Sequence, residues 1–113
     1  MSSSYNINNI YPKPGIFNGT VLSGSALTVD ATAGGVQFAS TLFSQNDKFV
    51  LVDLDIQAAD VYVTYDGTTP AAGNGHILKQ NAYLTWPRAR AQAAKFIRTT
   101  STSATIYASP SAV

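Results

Sequence analysis

His76 is the only histidine in the chain and the residue best suited to acid-base chemistry, because imidazole titrates near neutral pH. A Ser-His-Asp triad is formally possible, since serine and aspartate are plentiful, but no G-x-S-x-G nucleophile motif is present. The chain has no cysteine and no glutamate, which excludes the usual histidine and cysteine zinc sites. We therefore predict that the protein is not an enzyme and that His76 hydrogen-bonds the turn at Asn74-Gly75.

Carboxylates are the second group of side chains that could bind a ligand or take part in a reaction. Asp53 and Asp55 point to the same face if their segment is a strand, and Asp60 or Asp66 follows closely in sequence. Such oxygens suit a hard cation such as calcium, but the spacing of an EF-hand is missing. The sequence favours solvated carboxylates or ion pairs with the later lysines and arginines. We therefore predict no cofactor, and a cation at Asp53 and Asp55 stays an open alternative.

Aromatic side chains offer a third kind of site, a stacking platform for a sugar or, beside Arg88 and Arg90, for a single nucleic-acid strand. The platform would consist of Trp86 with Tyr62, Tyr65, Tyr83 and Tyr107. Nucleic acid is disfavoured, because a net charge of +1 leaves few clustered bases to displace counterions. A glycan bound on Trp86 and the tyrosines stays open.

Composition narrows the class of protein. Charged residues make up 12% of the chain, about half the roughly 25% typical of soluble domains. This sparse charge fits either an ordinary β domain or a protein packed against other subunits. The acids lie between Asp30 and Asp66 and most bases follow from Lys79 onward. Folding either mixes the two groups or leaves them apart, in which case head-to-tail contact between copies is favoured.

The chain shows no signal peptide and no apolar run of the ~18 residues that span a bilayer. We therefore expect no membrane insertion and no export by a standard signal. The lack of cysteine excludes disulfides and fits synthesis in a cytoplasm.

The elements that would position these side chains are short β-strands. Alternating apolar and polar residues predict strands over 27–31, 36–43, 48–56, 60–65, 76–79, 83–86, 95–100 and 104–109. The strongest of them places Val50, Val52, Leu54 and Ile56 on one face. Residues 88–94 favour a helical turn. We therefore predict an all-β fold: a single β-sandwich or jelly-roll-like domain over residues 25–113, with about seven or eight short strands and at most one short helix.

Residues 1–24 are rich in Ser, Asn, Gly and Pro and lack helical spacing, so they predict an extended N-terminal arm. Proline provides no amide hydrogen for a ladder, which keeps such a stretch at a sheet edge or across a neighbouring molecule. The candidate contact residues of the arm are apolar residues and prolines: Ile7, Ile10, Tyr11, Pro12, Pro14 and Phe17.

The second half of the chain resembles a known family. Residues 61–78 read V-Y-V-T-Y-D-G-T-T-P-A-A-G-N-G-H-I-L, Trp86 follows, and residues 91–98 read A-Q-A-A-K-F-I-R. The pieces D-G-T-T-P, N-G-H, W and A-A-K-F-I occur in this order in small structural proteins of tailed bacteriophages, which this half resembles. Met1 to Asp60 carries no such resemblance.

The resemblance implies a non-enzymatic virion protein, above all a head decoration or cement protein. Proteins of that kind are small β domains, commonly trimeric, with arms that grip capsid subunits. The implied partners are the major capsid protein and further copies of the chain, and the implied location is the capsid surface after synthesis in the host cytoplasm. A tail, baseplate or head-tail adaptor component and a carbohydrate-binding module are the alternatives. Beyond the arm, the candidate contact residues are Asp66, Gly67, Thr68, Thr69, Trp86, Arg88 and Arg90.

Overall fold

The structure is a computed structural model that describes residues 20–45 and 49–112. Its strands are β1 (Thr20–Val21), β2 (Ser25–Val29), β3 (Phe49–Gln57), β4 (Val61–Thr64), β5 (His76–Leu78), β6 (Tyr83–Pro87), β7 (Lys95–Arg98) and β8 (Ala104–Ala112). Two short helices, α1 (Ser40–Phe43) and α2 (Arg88–Ala93), complete the described elements. The all-β class predicted from the sequence is confirmed.

The strands form two antiparallel sheets. In the large sheet β8 is an inner strand: it pairs with β3 along one edge and with both β1 and β2 along the other, and β6 pairs with the far edge of β3. In the small sheet β4 lies between β5 and β7. Buried residues from both sheets form one core, so the described residues fold as a β-sandwich.

Residues that alternate along the strands fill this core. Val52, Leu54 and Ile56 of β3 are fully buried, while the residues between them are half-buried on the outer face. β8 repeats the pattern, burying Ile106 and its alternate neighbours. Period-two alternation gives a strand one buried side and one solvent-facing side, so the sequence pattern predicts these segments as strands.

Trp86 joins the two sheets. It lies on β6 of the large sheet, and its ring is parallel to that of Phe96 on β7 of the small sheet, with centroids 6.2 Å apart and an interplanar angle of 5°. Phe38 meets Phe96 edge-on at 5.4 Å. Trp86 is only 5% exposed and Phe96 is fully buried. These rings supply much of the apolar surface that holds the sheets together.

Residues 36–43 do not form the strand that the sequence predicts. Val36 forms an isolated bridge to Phe96, and a single turn of helix, α1, ends the segment. Leu42 and Phe43 are adjacent and both buried, whereas a flat strand would place neighbours on opposite faces. The prediction of at most one short helix is wrong for the same reason, because α1 adds to α2.

β3 departs from regular pairing at its start. Its register to β8 shifts between Phe49 and Leu51, and Val50 is 36% exposed. A bulge inserts an extra residue on one strand and bends it locally, so the strict alternation of faces is lost there. The predicted buried face of this strand therefore begins at Val52 and excludes Val50.

Residues 20–24, which the sequence assigns to the arm, lie along β8. β1 pairs with the end of that strand, and the amide of Leu22 donates to the carbonyl of Pro110 at 3.0 Å. Residues 1–19 lie outside the described residues. That range contains the candidate contacts of the arm: Ile7, Ile10, Tyr11, Pro12, Pro14 and Phe17. Neither of the described helices has the length and apolar content that crossing a membrane requires.

We expect Trp86→Ala to lower the free energy of unfolding by about 3–5 kcal/mol, because it leaves a cavity between the two sheets. Trp86→Phe keeps a ring against Phe96 and should cost clearly less. Urea unfolding followed by circular dichroism measures both changes. An alanine variant as stable as the wild type would contradict the bridging role of Trp86.

Candidate functional site

The connection between β4 and β5, residues 65–75, gathers most of the side chains that the sequence singled out. At its start Asp66 accepts hydrogen bonds from the amide and the hydroxyl of Thr68, at 3.1 and 2.6 Å. Gly67 between them has a positive φ of 86°, which suits glycine. The hydroxyl of Thr68, and after it the amide, holds the pKa of the Asp66 carboxyl below its usual value. Asp66 is therefore ionised at neutral pH and closes the turn.

Asn74 closes the second half of this loop. Its side-chain amide donates to the carbonyl of Thr69 at 2.7 Å and to the hydroxyl of Thr68 at 3.2 Å. Ala71 and Asn74 exchange backbone hydrogen bonds of 3.1 and 3.0 Å. The hydroxyl of Thr64, at the end of β4, donates to the carbonyl of Thr68 at 2.6 Å. The loop is thus linked to itself and to β4, and it presents a fixed surface.

Gly75 allows the loop to approach β4 closely. Its φ is 107°, and a Cβ built on it would lie 2.3 Å from the carbonyl oxygen of Val63 and 2.8 Å from Cγ2 of Thr64. A residue without a Cβ is required for this approach. Gly73 also has a positive φ, 81°, but a Cβ there would meet nothing within 4 Å. The two glycines therefore differ in role, since only Gly75 is needed for packing.

Tyr65, the first residue of this loop, lies together with His76 and Arg90. The Tyr65 ring is 5.8 Å from the His76 ring, edge-on to Trp86 at 5.5 Å, and 5.1 Å from the Arg90 guanidinium, which lies over it as a cation–π contact. Burial raises the pKa of the Tyr65 phenol, so this group stays neutral at physiological pH. We call Tyr65, His76, Arg90 and the stretch Asp66–Thr69 the loop cluster.

Tyr65, Asp66 and His76 of the loop cluster border an open cavity of ≈170 Å³. Its lining consists of Thr64, Tyr65, Asp66, Asn74, Gly75 and His76. Within the described part of the chain, the His76 ring makes no hydrogen bond that would orient it as a base. Its predicted hydrogen bond to the turn is wrong, because Asn74 supplies the donors there and β5 directs His76 toward Tyr65. The cluster thus offers a partner an arginine, an imidazole and an aromatic edge.

Asp53 and Asp55 lie on the outer face of β3. Asp53 accepts a hydrogen bond from the hydroxyl of Thr85 at 2.7 Å, and Asp55 accepts one from the glutamine two residues on at 2.9 Å. Among residues 20–45 and 49–112, no group of three or more acidic or histidine side chains is placed to hold a metal ion. Asp60 instead forms an ion pair with Lys79 at 3.0 Å, which is the pairing with later bases that the sequence favours.

The predicted platform of Trp86 and four tyrosines is not one surface. Trp86 lies in the core, because alternation along β6 turns it inward and Tyr83 outward. Tyr83 and Tyr107 are 68% and 44% exposed on the outer face of the large sheet. Tyr65 belongs to the loop cluster, and Tyr62 lies on β4 of the small sheet. Trp86 is therefore wrong as a contact residue. Of the platform residues, Tyr83 and Tyr107 are the exposed pair, and alternation along β6 and β8 separates them from the core.

The two arginines among the candidate contacts begin α2, directly after β6. Nη2 of Arg88 donates to the carbonyl of Phe43 at 3.1 Å, which connects α2 to α1. Arg90 instead lies over Tyr65. Arg90 and Asp66–Thr69 are exposed, whereas Arg88 is partly buried. The structure thus brings Arg90 together with the loop residues and assigns Arg88 a structural contact.

The four sequence pieces D-G-T-T-P, N-G-H, Trp86 and A-A-K-F-I come together in space. Asn74 of N-G-H bonds to D-G-T-T-P as described above, and Nζ of Lys95 in A-A-K-F-I donates to the carbonyl of Gly67 at 3.0 Å. Trp86 stacks on Phe96 of the same last piece. Pieces spread over residues 66–97 are therefore one structural unit.

No protein-family model matches the chain, and neither a curated protein nor a solved structure does. The function therefore has to be inferred from the residues and their geometry. The features with most bearing on it are the fixed loop cluster and the convergence of the four pieces.

Gly75→Ala should destabilise the fold far more than Gly73→Ala. Both changes place a Cβ at a positive φ, which costs about 1–2 kcal/mol. Gly75→Ala adds a clash with the Val63 carbonyl, which Gly73→Ala does not. Thermal unfolding of the two variants beside the wild type measures the difference, and equal melting temperatures for the two would refute the close approach at Gly75.

Asp66→Ala should lower the melting temperature at neutral pH, because both Thr68 donors lose their acceptor. The pKa of Asp66 in the folded protein lies below its ordinary value of 3.8. The stability that its charge contributes is therefore fully present above that pH and is lost as the pH falls through the folded pKa. The gap in melting temperature between variant and wild type should accordingly narrow from about pH 7 to about pH 2.

Asp66→Asn is the matched control, because it keeps an acceptor oxygen without the charge. At neutral pH, the melting temperature of Asp66→Asn should lie closer to that of the wild type than the melting temperature of Asp66→Ala does. If the gap of the alanine variant stays constant over the whole pH range, the charge of Asp66 has no part in closing the turn.

Proposed function

We propose that the protein is a non-enzymatic structural component of a bacteriophage virion: a decoration or cement protein that binds the capsid surface through its N-terminal arm and associates with copies of itself. The observation that carries the proposal is the convergence of the four family-like pieces on one rigid unit. The pieces that carry the resemblance contact one another and determine the shape of a surface loop, and loops held on a rigid scaffold often carry binding residues.

The chemistry of this unit suits adhesion. Asp66 and Asn74 link the loop from within, so its exposed side chains keep a fixed arrangement. A loop that is ordered before binding loses little conformational entropy on binding. Arg90 and Asp66–Thr69 would then face the capsid or a neighbouring copy, while Trp86 supports them from the core through Tyr65.

A shell-bound role also fits the sparse charge of the chain. Charged residues are 12% of the sequence, and the centres of protein interfaces are depleted of charge because desolvating it is costly. Copies that associate around a symmetry axis, as a trimer does, bind a shell through several identical contacts at once. Contacts that are weak one by one then add through multivalency.

Two other functions share parts of this argument. A tail, baseplate or head-tail adaptor component would have the same fold and resemblance and would differ in its position on the particle. A carbohydrate-binding module is less well supported, because Trp86 is buried and the tyrosines are divided among different surfaces. Position on the particle therefore distinguishes a decoration protein from a tail, baseplate or adaptor component.

The test adds purified protein, either full-length or lacking residues 2–19, to phage capsids that lack it. We expect the full-length protein to sediment with the capsids and the shortened protein to stay in the supernatant. The shortened protein should still fold, because the described sheets begin at Thr20, and circular dichroism checks this. Equal binding of the two proteins would refute the role of the arm.

Electron cryomicroscopy of the same particles locates the bound protein. Density over the whole shell is the expected result for a decoration protein. Density confined to one vertex or to the tail would identify an adaptor instead. Arg90→Ala, which alters the loop cluster without removing the arm, should weaken binding several-fold, and full binding by that variant would exclude the cluster from the contact.

A further inference from the structure

The outer face of the large sheet is a second surface, separate from the loop cluster. Five side chains define it, and we call it the acidic face: Asp53 and Asp55 of β3, Tyr83 and Thr85 of β6, and Tyr107 of β8. Strand pairing places Tyr107 and Tyr83 opposite Asp55, one on each side, so the three form a row across three strands. Thr85 lies opposite Asp53 in the next row.

The two tyrosines of this face are exposed although their rings are large and apolar: Tyr83 is 68% and Tyr107 is 44% exposed. The Tyr107 ring lies against Gly24, where a Cβ would be 2.5 Å from the phenol oxygen, so the glycine leaves room for the ring close to the backbone. Exposed rings on both sides of a carboxylate suit a cationic side chain, which the carboxylate attracts by charge and the rings by cation–π contact.

The acidic face has no basic side chain on its own strands. Among the described residues, Asp53 and Asp55 are the only charged residues in the five strands of the large sheet. Residues 1–19 have the opposite character, because Lys13 is their only charged side chain. Apolar residues accompany it: Ile7, Ile10, Tyr11, Ile16 and Phe17. The segment and the face are therefore complementary in charge and in apolar content.

The position of Thr20 in the large sheet decides which acidic face residues 1–19 could reach. β1 pairs with the last residues of β8, so Thr20, where the described chain begins, lies at that end of the sheet and not at its middle. Seven residues lead from Lys13 to Thr20, a span of at most about 25 Å. A neighbouring copy beside this end of the large sheet lies within reach of Lys13. Lys13 could reach the acidic face of its own copy only if the chain before Thr20 reversed direction.

We propose that residues 11–19 of one copy dock on the acidic face of a neighbouring copy, with Lys13 at Asp55 between Tyr83 and Tyr107, while the residues before them remain for the capsid. This inference rests on the self-association in the proposed function and names the two surfaces that make it. Prolines on both sides of Lys13 favour an extended backbone, which reduces the entropy lost on docking. Exchange of arms around an axis closes into a ring, as a trimer requires.

Cross-linking tests the proposal directly, because the chain has no cysteine of its own. Gly15→Cys, which keeps Lys13, is mixed with a longer-tagged Thr85→Cys protein, and the mixture is oxidised. We expect a mixed disulfide dimer of distinct size on a non-reducing gel. The matched control replaces Thr85→Cys by Ile77→Cys, on the small sheet and 54% exposed, and should give several-fold less of the mixed dimer.

Two outcomes would overturn the proposal. One is cross-linking to Thr85→Cys that does not exceed cross-linking to Ile77→Cys at any protein concentration. The other is a double variant, Gly15→Cys with Thr85→Cys, that yields only internally linked monomers, because the occupant would then be the chain's own arm.

A charge exchange tests the named contact. Asp55→Lys should weaken self-association about tenfold in sedimentation velocity experiments, and adding Lys13→Asp to the same chain should restore it. Thr102→Lys, on an exposed turn, adds a positive charge elsewhere and should have little effect. Absence of rescue would place Lys13 outside the contact. Capsid binding without the mixed dimer would refute the docking alone, and the mixed dimer without capsid binding would refute the proposed function alone.

Discussion

The stacked contact between Trp86 and Phe96 is the interaction on which the rest of the structure depends. The two rings belong to different sheets and are nearly parallel, with centroids 6.2 Å apart. Large flat rings bring many atoms into van der Waals contact, so one such pair fixes the separation of two sheets better than several small side chains do. Phe38 adds its edge to Phe96 and thereby brings the segment before α1 into the same core.

The same tryptophan couples the core to the surface. Tyr65 meets it edge-on, and Arg90 lies over Tyr65, so the position of the loop cluster depends on how Trp86 packs. The hydrogen bonds of Asp66 and Asn74 determine the shape of the loop, while the aromatic contacts determine where it lies. A rigid loop on a rigid core presents the same surface in every copy, which is what a repeated contact requires.

Much of the fold was predictable because alternation is a local property of the sequence. β3 and β8 show it clearly, and Asp66 and Asn74 mark the turns that the structure contains. The burial of Trp86 was not predictable in the same way. Alternation shows that Tyr83 and Trp86 face opposite sides, but the pairing of β6 with β3 decides which side is covered. Contacts between distant pieces, such as Lys95 with the Gly67 carbonyl, likewise depend on tertiary structure.

The distribution of charge is a further property that only the folded chain decides. Folding mixes acids and bases in the connections, where Asp60 pairs with Lys79, yet it keeps them apart in the strands. Among the described strands, those of the large sheet carry aspartate as their only charged residue type, and those of the small sheet carry lysine and arginine but no acid. A sandwich whose sheets differ in this way favours partners of opposite charge on each side and disfavours contact between like faces. The core does not require two exposed tyrosines beside a carboxylate, whereas a surface that binds a cationic side chain gains charge attraction and cation–π contact from them.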